Sequence, residues 1–389
     1  MSSSSAGAAG VAPLATLAKI ILSPPLREEY STAYALEKIS TVRDYFKLVL
    51  DCDGQPKRLA DRQPRPWDPP DKTPYNFSLK QYNMLAEGLS SSERERRHLG
   101  QPKTLNQFGG LNAVKYPDIT LGFENRKWLL LEELLDGHPD VVTVQECDHY
   151  HSFFQPIMSR HGYDSCFVPK VDSPCLQFGF FSDGVAIFWQ RDQFATVDDG
   201  HESGQYYNAS GGLDGQVYLV QTLYHKLSGR KLVVGTTHLK AKSSPENEMR
   251  RTFQAGEFSR AMLEMAHRQG GCPAVFGADL NADACAVGPV APMCVPRLAK
   301  HFESAYPLPE DADDPMFTTW KKRGTSESRH VIDYIWHTTG EGLVVDALQG
   351  GVPPETMQPE RMPSMVHPSD HLSIMASFSF DRKVMSPCN

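Results

Sequence analysis

Apolar runs of strand length recur along this chain, and several break at one end into polar residues that an ordinary strand would not need. They span Phe77 to Leu85, Val141 to Gln145, Gly184 to Trp189, Val217 to His225, Lys231 to His238, Ala274 to Leu280, Val331 to His337 and Leu372 to Phe380. Some alternate and others are continuously apolar, the pattern of strands covered on one or both faces. Helical periodicity appears between them. Asn125 to Leu135 stacks Trp128, Leu131, Leu134 and Leu135 on one face and stops at Gly137 before Pro139. Glu246 to His267 presents Phe253, Phe258, Met262 and Met265 as core contacts and stops at Gly270. Strands mixed with helices predict an α/β (α+β) layered domain from 76 to 380, followed by a short tail, 381–389.

Upstream of that domain the pattern changes. Tyr34, Leu36, Ile39, Val42, Phe46 and Leu50 recur at roughly helical spacing, so 27–75 is read as an appended helix and a linker. The linker carries Pro56, Pro64, Pro66, Pro69, Pro70 and Pro74, which exclude a helix or a central strand. Residues 1–26 are rich in Ser and Ala and contain no acid, which reads as a disordered tail. An organelle-targeting signal is the alternative, weakened by the absence of any arginine before Arg27. No apolar run approaches the roughly 18 residues of a membrane-crossing helix, so a soluble protein is expected.

Composition narrows the chemistry. The 389 residues carry 39 Lys and Arg against 47 Asp and Glu, a formal charge of −8. The molecule as a whole repels polyanions, so a phosphate or nucleic acid ligand must meet a local basic patch. The 8 cysteines form no CxxC pair, which points to neither a zinc site nor a disulfide framework and fits a reducing, cytoplasmic setting.

The polar islands at the strand ends are Asn83, Gln145-Glu146, His238-Leu239-Lys240, Asp279-Leu280-Asn281, Asp333 and Asp370-His371. Hydrolysis of a phosphate ester needs a cation to neutralise oxygens and a polarised water in line with the leaving group. Glu146 is a hard oxygen ligand suited to Mg²⁺, with Asn83 as a neutral oxygen beside it. Asp279 and Asn281 alternate, so both point the same way, where an acid orients water and an amide holds a phosphoryl oxygen. His371 binds or protonates the phosphoryl group if a carboxylate fixes its other nitrogen, and Asp333 is the expected partner. Asp333 interrupts the apolar run Val331 to Trp336, where an unpaired carboxylate is costly. His238 and Lys240 share a face and bring donors toward a phosphate. Each residue also has a bland reading, as a solvated acid, a turn or a satisfied core histidine.

Taken in order, these islands resemble the endonuclease/exonuclease/phosphatase superfamily, from Asn76 to Phe380. The resemblance implies a DNase I-like four-layer sandwich of two mixed β-sheets flanked by helices. It also implies a Mg²⁺-dependent enzyme, Mn²⁺ being an alternative, that cleaves phosphate ester bonds. By motif match, Glu146, Asn83 and Asp370 would hold the metal, while Asp279, Asn281, Asp333, His371 and His238 would carry catalysis.

Within the superfamily, Glu146-Cys147-Asp148-His149-Tyr150, Phe167-Val168-Pro169-Lys170, Phe317-Thr318-Thr319-Trp320, Arg329-His330 and Arg361-Met362-Pro363-Ser364 are similar to the nocturnin and carbon catabolite repressor type deadenylases. That group implies two substrates, the 2′-phosphate of NADP(H) and the poly(A) tail of mRNA. It places Lys170, Lys240, Lys242 and Arg329 against the ligand, with Lys242 where an arginine is expected. A lysine keeps the charge but loses the bidentate geometry. No leucine-rich repeat, by which larger deadenylases dock to their complex, occurs in the sequence. With the acidic charge, this favours NADP(H), followed by deadenylation and then by a non-catalytic binding module.

Overall fold

The structure, a computed structural model, describes residues 31–52, 65–90, 110–111, 113–208, 212–311, 314–340, 342–357 and 359–381. The tail expected over 1–26, and all but the first residue of the one over 381–389, lie outside the described residues. Two six-stranded sheets form the centre. The first has the order β13-β14-β1-β2-β4-β3, built from β1 (Asn76–Asn83), β2 (Val141–Gln145), β3 (Tyr163–Pro169), β4 (Gly184–Gln190), β13 (Leu343–Leu348) and β14 (Ile374–Phe380). The second has the order β5-β6-β7-β8-β12-β9, built from β5 (Phe194–Tyr207), β6 (Leu213–His225), β7 (Arg230–His238), β8 (Ala274–Asp279), β9 (Phe302–Ser304) and β12 (Asp333–Thr338). A separate hairpin pairs β10 (Thr319–Arg323) with β11 (Ser326–His330). Each large sheet is mixed, with β1 parallel to β2 and β7 parallel to β8.

Three apolar layers hold the four layers of backbone together. Phe77, Leu79, Ile187, Val234, Val275 and Phe378 fill the space between the sheets. Helices α1 (Thr32–Cys52), α2 (Phe123–Leu135) and α3 (Gln155–Arg160) cover the outer face of the first sheet through Phe46, Trp128, Leu131 and Ile157. Helices α4 (Pro245–Arg268) and α5 (Cys294–Leu298) cover the second through Phe258, Met262, Met265 and Leu298. The fold is therefore the expected four-layer sandwich.

Two helical stripes differ from the reading of the sequence. In α1 the buried stripe is Ala35, Val42, Phe46 and Leu50, while Leu36 is 62% exposed. In α4 the face toward the sheet runs through Phe258, Met262 and Met265, and Phe253 is 57% exposed. At 3.6 residues per turn Leu36 falls about a quarter of a turn from its buried stripe, on the border, whereas Phe253 falls nearly half a turn away, on the solvent face, so only Leu36 is a near miss of the period. Helix α1 also joins the main core, its Arg43 pairing with Glu132 of α2. The described end of the Pro-rich segment is docked too, with Arg65 bonded to Glu133 at 2.6 Å and Lys72 to Asp140 at 2.5 Å.

Between the sheets the apolar layer turns polar toward one end. Gln145 donates to Thr236 at 2.8 Å, Thr143 donates to Gln81 at 2.9 Å, and Gln81 is bonded to Gln145. Gly277 makes this approach feasible, because a Cβ there would fall 2.2 Å from Thr143 Oγ1.

Candidate active site

The polar end of the sandwich is where β1, β2, β7 and β8 finish. Pairing registers bring the polar islands face to face: Asn83 opposite Gln145, His238 opposite Asp279, and Asp279 opposite Asp333. Ligands in sheet proteins bind just beyond such carboxyl ends, where side chains converge without breaking the ladder. Above these residues opens a cleft of about 870 Å³ lined by Glu146, Lys170, His238, Lys240, Lys242, Asp279, Asn281, Lys321, Arg323, Asp370 and His371, among others. Four non-glycine residues at or beside this end adopt left-handed backbone: Leu85, Glu146, Lys242 and Asn281. Such strain gathers where surrounding structure dictates the geometry of a site.

Asp279 is the centre of the cluster. It accepts from Asn83 Nδ2 at 2.8 Å and lies 3.5 Å from His238 Nε2 and 3.8 Å from His371 Nε2. His371 is anchored through Nδ1 to Asp333 at 2.7 Å, the partnership expected from the apolar setting of Asp333. Burial opposes the charged imidazole, yet Asp333, Asp279 and Asp370 together raise His371 to about 9, so it is imidazolium at neutral pH. Burial, with Asp333 adding repulsion, pushes the Asp279 carboxyl up despite His371. His238 is held well below the ordinary value by burial and by Lys170, so it is neutral.

Several expected residues take a different posture. Asn83 was expected to offer an oxygen; instead its NH₂ donates to Glu146 Oε1 at 3.1 Å and to Asp279, because two flanking carboxylates require a donor between them. Asn281 donates to Leu239 O at 3.1 Å and lies 2.9 Å from His238 Nε2, so it orients the imidazole. Lys170 is buried, paired with Asp183 at 2.7 Å and 3.3 Å from His238 Nδ1. Asp370, expected as a metal ligand, has Oδ2 bonded to Lys321 at 2.8 Å and to Arg323 at 2.9 Å. Those cations and His371 overcome burial and hold its carboxyl far below the usual range. Arg329 lies outside the cleft. It borders a neighbouring cavity of about 290 Å³, donates to Asp314 O and sits over the Trp320 ring at 5.6 Å.

Lys321 and Arg323 did not emerge from the sequence as site residues. The alternation of β10 puts Thr319, Lys321 and Arg323 on the face toward the cleft, a signal present at i, i+2 and i+4 after Phe317-Thr318.

The donor set fits a hard divalent cation. Glu146 and Asp370 offer carboxylate oxygens, and Asp370 Oδ1 is buried with no hydrogen-bond partner among the described residues. A second group, Asp279, Asp333 and His371, brings ligand-capable atoms within 4.8 Å of one another. His371 Nδ1 is already engaged by Asp333, so this group is better suited to handling protons, and Mg²⁺ prefers oxygen.

A model of the Endonuclease/Exonuclease/phosphatase family matches residues 104–371. The chain belongs to that family. It is accordingly an enzyme that hydrolyses phosphate ester bonds. Among curated relatives, Nocturnin of Xenopus laevis is 36% identical over 348 residues, covering 87% of this chain and 77% of that protein. Nocturnin of Homo sapiens is 34% identical, covering 87% and 69%. The 3′-5′-exoribonuclease subunit Ccr4 of Candida albicans is more distant, 25% identical over 79% of this chain and 41% of its own length. The human Nocturnin catalytic domain, solved with a bound sulfate anion, superposes with a TM-score of 0.56 at 29% identity, covering 80% of this chain and 97% of that one.

Proposed function

We propose that this enzyme is a Mg²⁺-dependent phosphatase that removes the 2′-phosphate of NADP(H) to leave NAD(H). The observation that carries this reading is a bounded cleft of about 870 Å³ with lysines on its wall and the Asp333-His371-Asp279 array at its floor. That volume is within the range of small-ligand sites, roughly 300–1,000 Å³, and matches a dinucleotide better than a long strand. The acidic molecule offers little general attraction to RNA, whereas the cleft sets Lys240 and Lys242 on its wall beside the acids Glu146, Asp279 and Asp370, a mixed lining that takes an anionic phosphate at a few points only.

Glu146 and the free oxygen of Asp370 are the residues that would hold the cation, with Mn²⁺ as an alternative to Mg²⁺. Bound there, the metal supplies charge neutralisation at the phosphoryl oxygens and acidifies water. The protein's own groups do the rest. His371, charged and fixed by Asp333, offers its Nε2 proton to a phosphoryl oxygen. Asp279, its carboxyl raised toward neutrality, accepts a proton from the attacking water. Asn83 ties Asp279 to Glu146, so base and metal ligand keep one register. Lys240 and Lys242 meet the anionic substrate from the wall.

The likeness to Nocturnin supports the dinucleotide reading, and the more distant likeness to Ccr4 keeps shortening of poly(A) as the second reading for the same cleft. Phosphate release from NADPH and shortening of an adenylate oligomer, each with Mg²⁺ or EDTA, separate them. Release from NADPH, abolished by EDTA and reduced on the order of 10²–10³-fold by Glu146→Ala, is the expected result. Oligomer shortening with NADPH intact would replace the dinucleotide with RNA.

A further inference from the structure

We propose that Arg251 is a positioning residue that shapes the loop Lys240-Ala241-Lys242 into its anion-binding form, an inference that rests on the phosphate-ester reading of the cleft. Arg251 rises from the first turns of α4 and is only 2% exposed. Its Nη1 donates to Lys240 O at 2.9 Å and to Lys242 O at 3.0 Å, so one guanidinium grips both ends of the three-residue loop. Its other side is spent on Glu248, with Nε and Nη2 each 2.8 Å from Oε2.

Glu248 is itself fixed, its Oε1 accepting from the backbone N–H groups of Met293 and Cys294 at 2.8 Å each. The grip is therefore anchored to α5 as well as to α4. Two neighbours reinforce it: Gln254 Oε1 accepts from Lys240 N at 3.0 Å, and Asn247 Nδ2 donates to Lys242 O at 3.2 Å.

This loop needs holding. Lys242 sits at φ 76°, a left-handed conformation unfavourable for a side chain with a Cβ. Its carbonyl receives two donors, from Arg251 and Asn247, which compensate the strain only in that conformation. With both carbonyls drawn down onto α4, Lys240 and Lys242 are left to line the cleft. A buried ion pair is seldom needed for stability, since apolar residues often serve as well. Here its guanidinium spends a whole nitrogen on the loop, which is the feature a purely structural pair would lack. Lysine cannot reproduce the fork that spans two carbonyls and a carboxylate.

The test compares Arg251→Lys, Arg251→Met and Asn247→Ala with the unaltered enzyme in phosphate release from NADP⁺, with melting temperatures for each. A KM raised roughly tenfold in Arg251→Met, less in Arg251→Lys, with kcat within about threefold, is expected. Asn247→Ala, a surface change, should raise KM about twofold to threefold with its melting temperature unchanged. A folded Arg251→Lys and Asn247→Ala that both keep the original KM, or that lose kcat at constant KM, would overturn the inference. Should Arg251→Met not fold, those two variants decide it. An unaltered enzyme inactive on NADP⁺ would sink the substrate reading instead. The loop is then judged by binding of inorganic phosphate, which Arg251→Lys must weaken for the inference to stand.

Discussion

Asp333 is 1% exposed and makes a 2.7 Å contact with the only ring nitrogen of His371 that faces away from Asp279. Its carboxylate both orients the ring and keeps it charged, so Asp333→Asn should leave the geometry nearly intact while releasing the proton. We expect kcat to fall roughly 10²–10⁴-fold with a small change in melting temperature, measured by phosphate release and thermal unfolding. A second prediction concerns histidines away from the cleft. His225 packs against Phe194 and Phe380, bonded to Ser228 at 2.8 Å, and burial depresses it below the ordinary 6.5. The unfolded chain then binds a proton that the folded chain refuses, so stability is lost as pH falls through about 6.5. His225→Asn should make the stability profile below that pH shallower without flattening it, since buried His238 and His337 are depressed as well, read from urea midpoints across the range. Residues differ in how legible they are from sequence alone. Asp333 is legible because a carboxylate inside an apolar run demands a partner. The posture of Asn83 is not, since it depends on Glu146 and Asp279, which only folding brings to it.

Among the elements, the strands anticipated from apolar runs are β1, β2, β4, β6, β7, β8, β12 and β14, all interior to the two sheets. Within the two large sheets the ones that escaped, β3, β5, β9 and β13, are the four edges; both strands of the β10-β11 hairpin escaped as well. An interior strand is buried along most of its length, whereas β5 buries only Phe194, Gly200 and Tyr206 and β13 only Leu343, so the apolar signal thins where one side meets water. Lys321 and Arg323 were hidden for a related reason: β10 belongs to a hairpin with polar residues on both faces, and no apolar run marks it. Packing of the elements makes its own prediction. Phe46 of α1 is fully buried in the apolar layer outside the first sheet, and the close approach of the sheets rests on Gly277. Phe46→Ala should destabilise by about 3–5 kcal/mol with kcat unchanged, whereas Gly277→Ala, by pushing apart sheets that carry Asn83 and Asp279, should lower both stability and kcat. Denaturant unfolding beside initial rates distinguishes the two outcomes.

For the whole molecule, the central fact is that two sheets, each contributing a parallel strand pair, end at one cleft. The first sheet delivers Asn83 and Glu146, the second delivers His238 and Asp279, and β12 and the approach to β14 add Asp333 and His371. No single element holds the site, so it exists only in the assembled sandwich. In a chain of formal charge −8, Lys240 and Lys242 line that cleft opposite the acids, while Lys321 and Arg323 are held by Asp370, so the cations there meet a small anion at fixed points. Among the described residues no helix is long and apolar enough to cross a membrane.

The most direct measurement is ³¹P NMR of NADP⁺ incubated with the purified enzyme and Mg²⁺. The 2′-phosphate signal is expected to decay into inorganic phosphate while the pyrophosphate signals persist, and EDTA to stop the change. A 2′-phosphate signal that stays intact in the presence of Mg²⁺ and folded enzyme would contradict the dinucleotide reading.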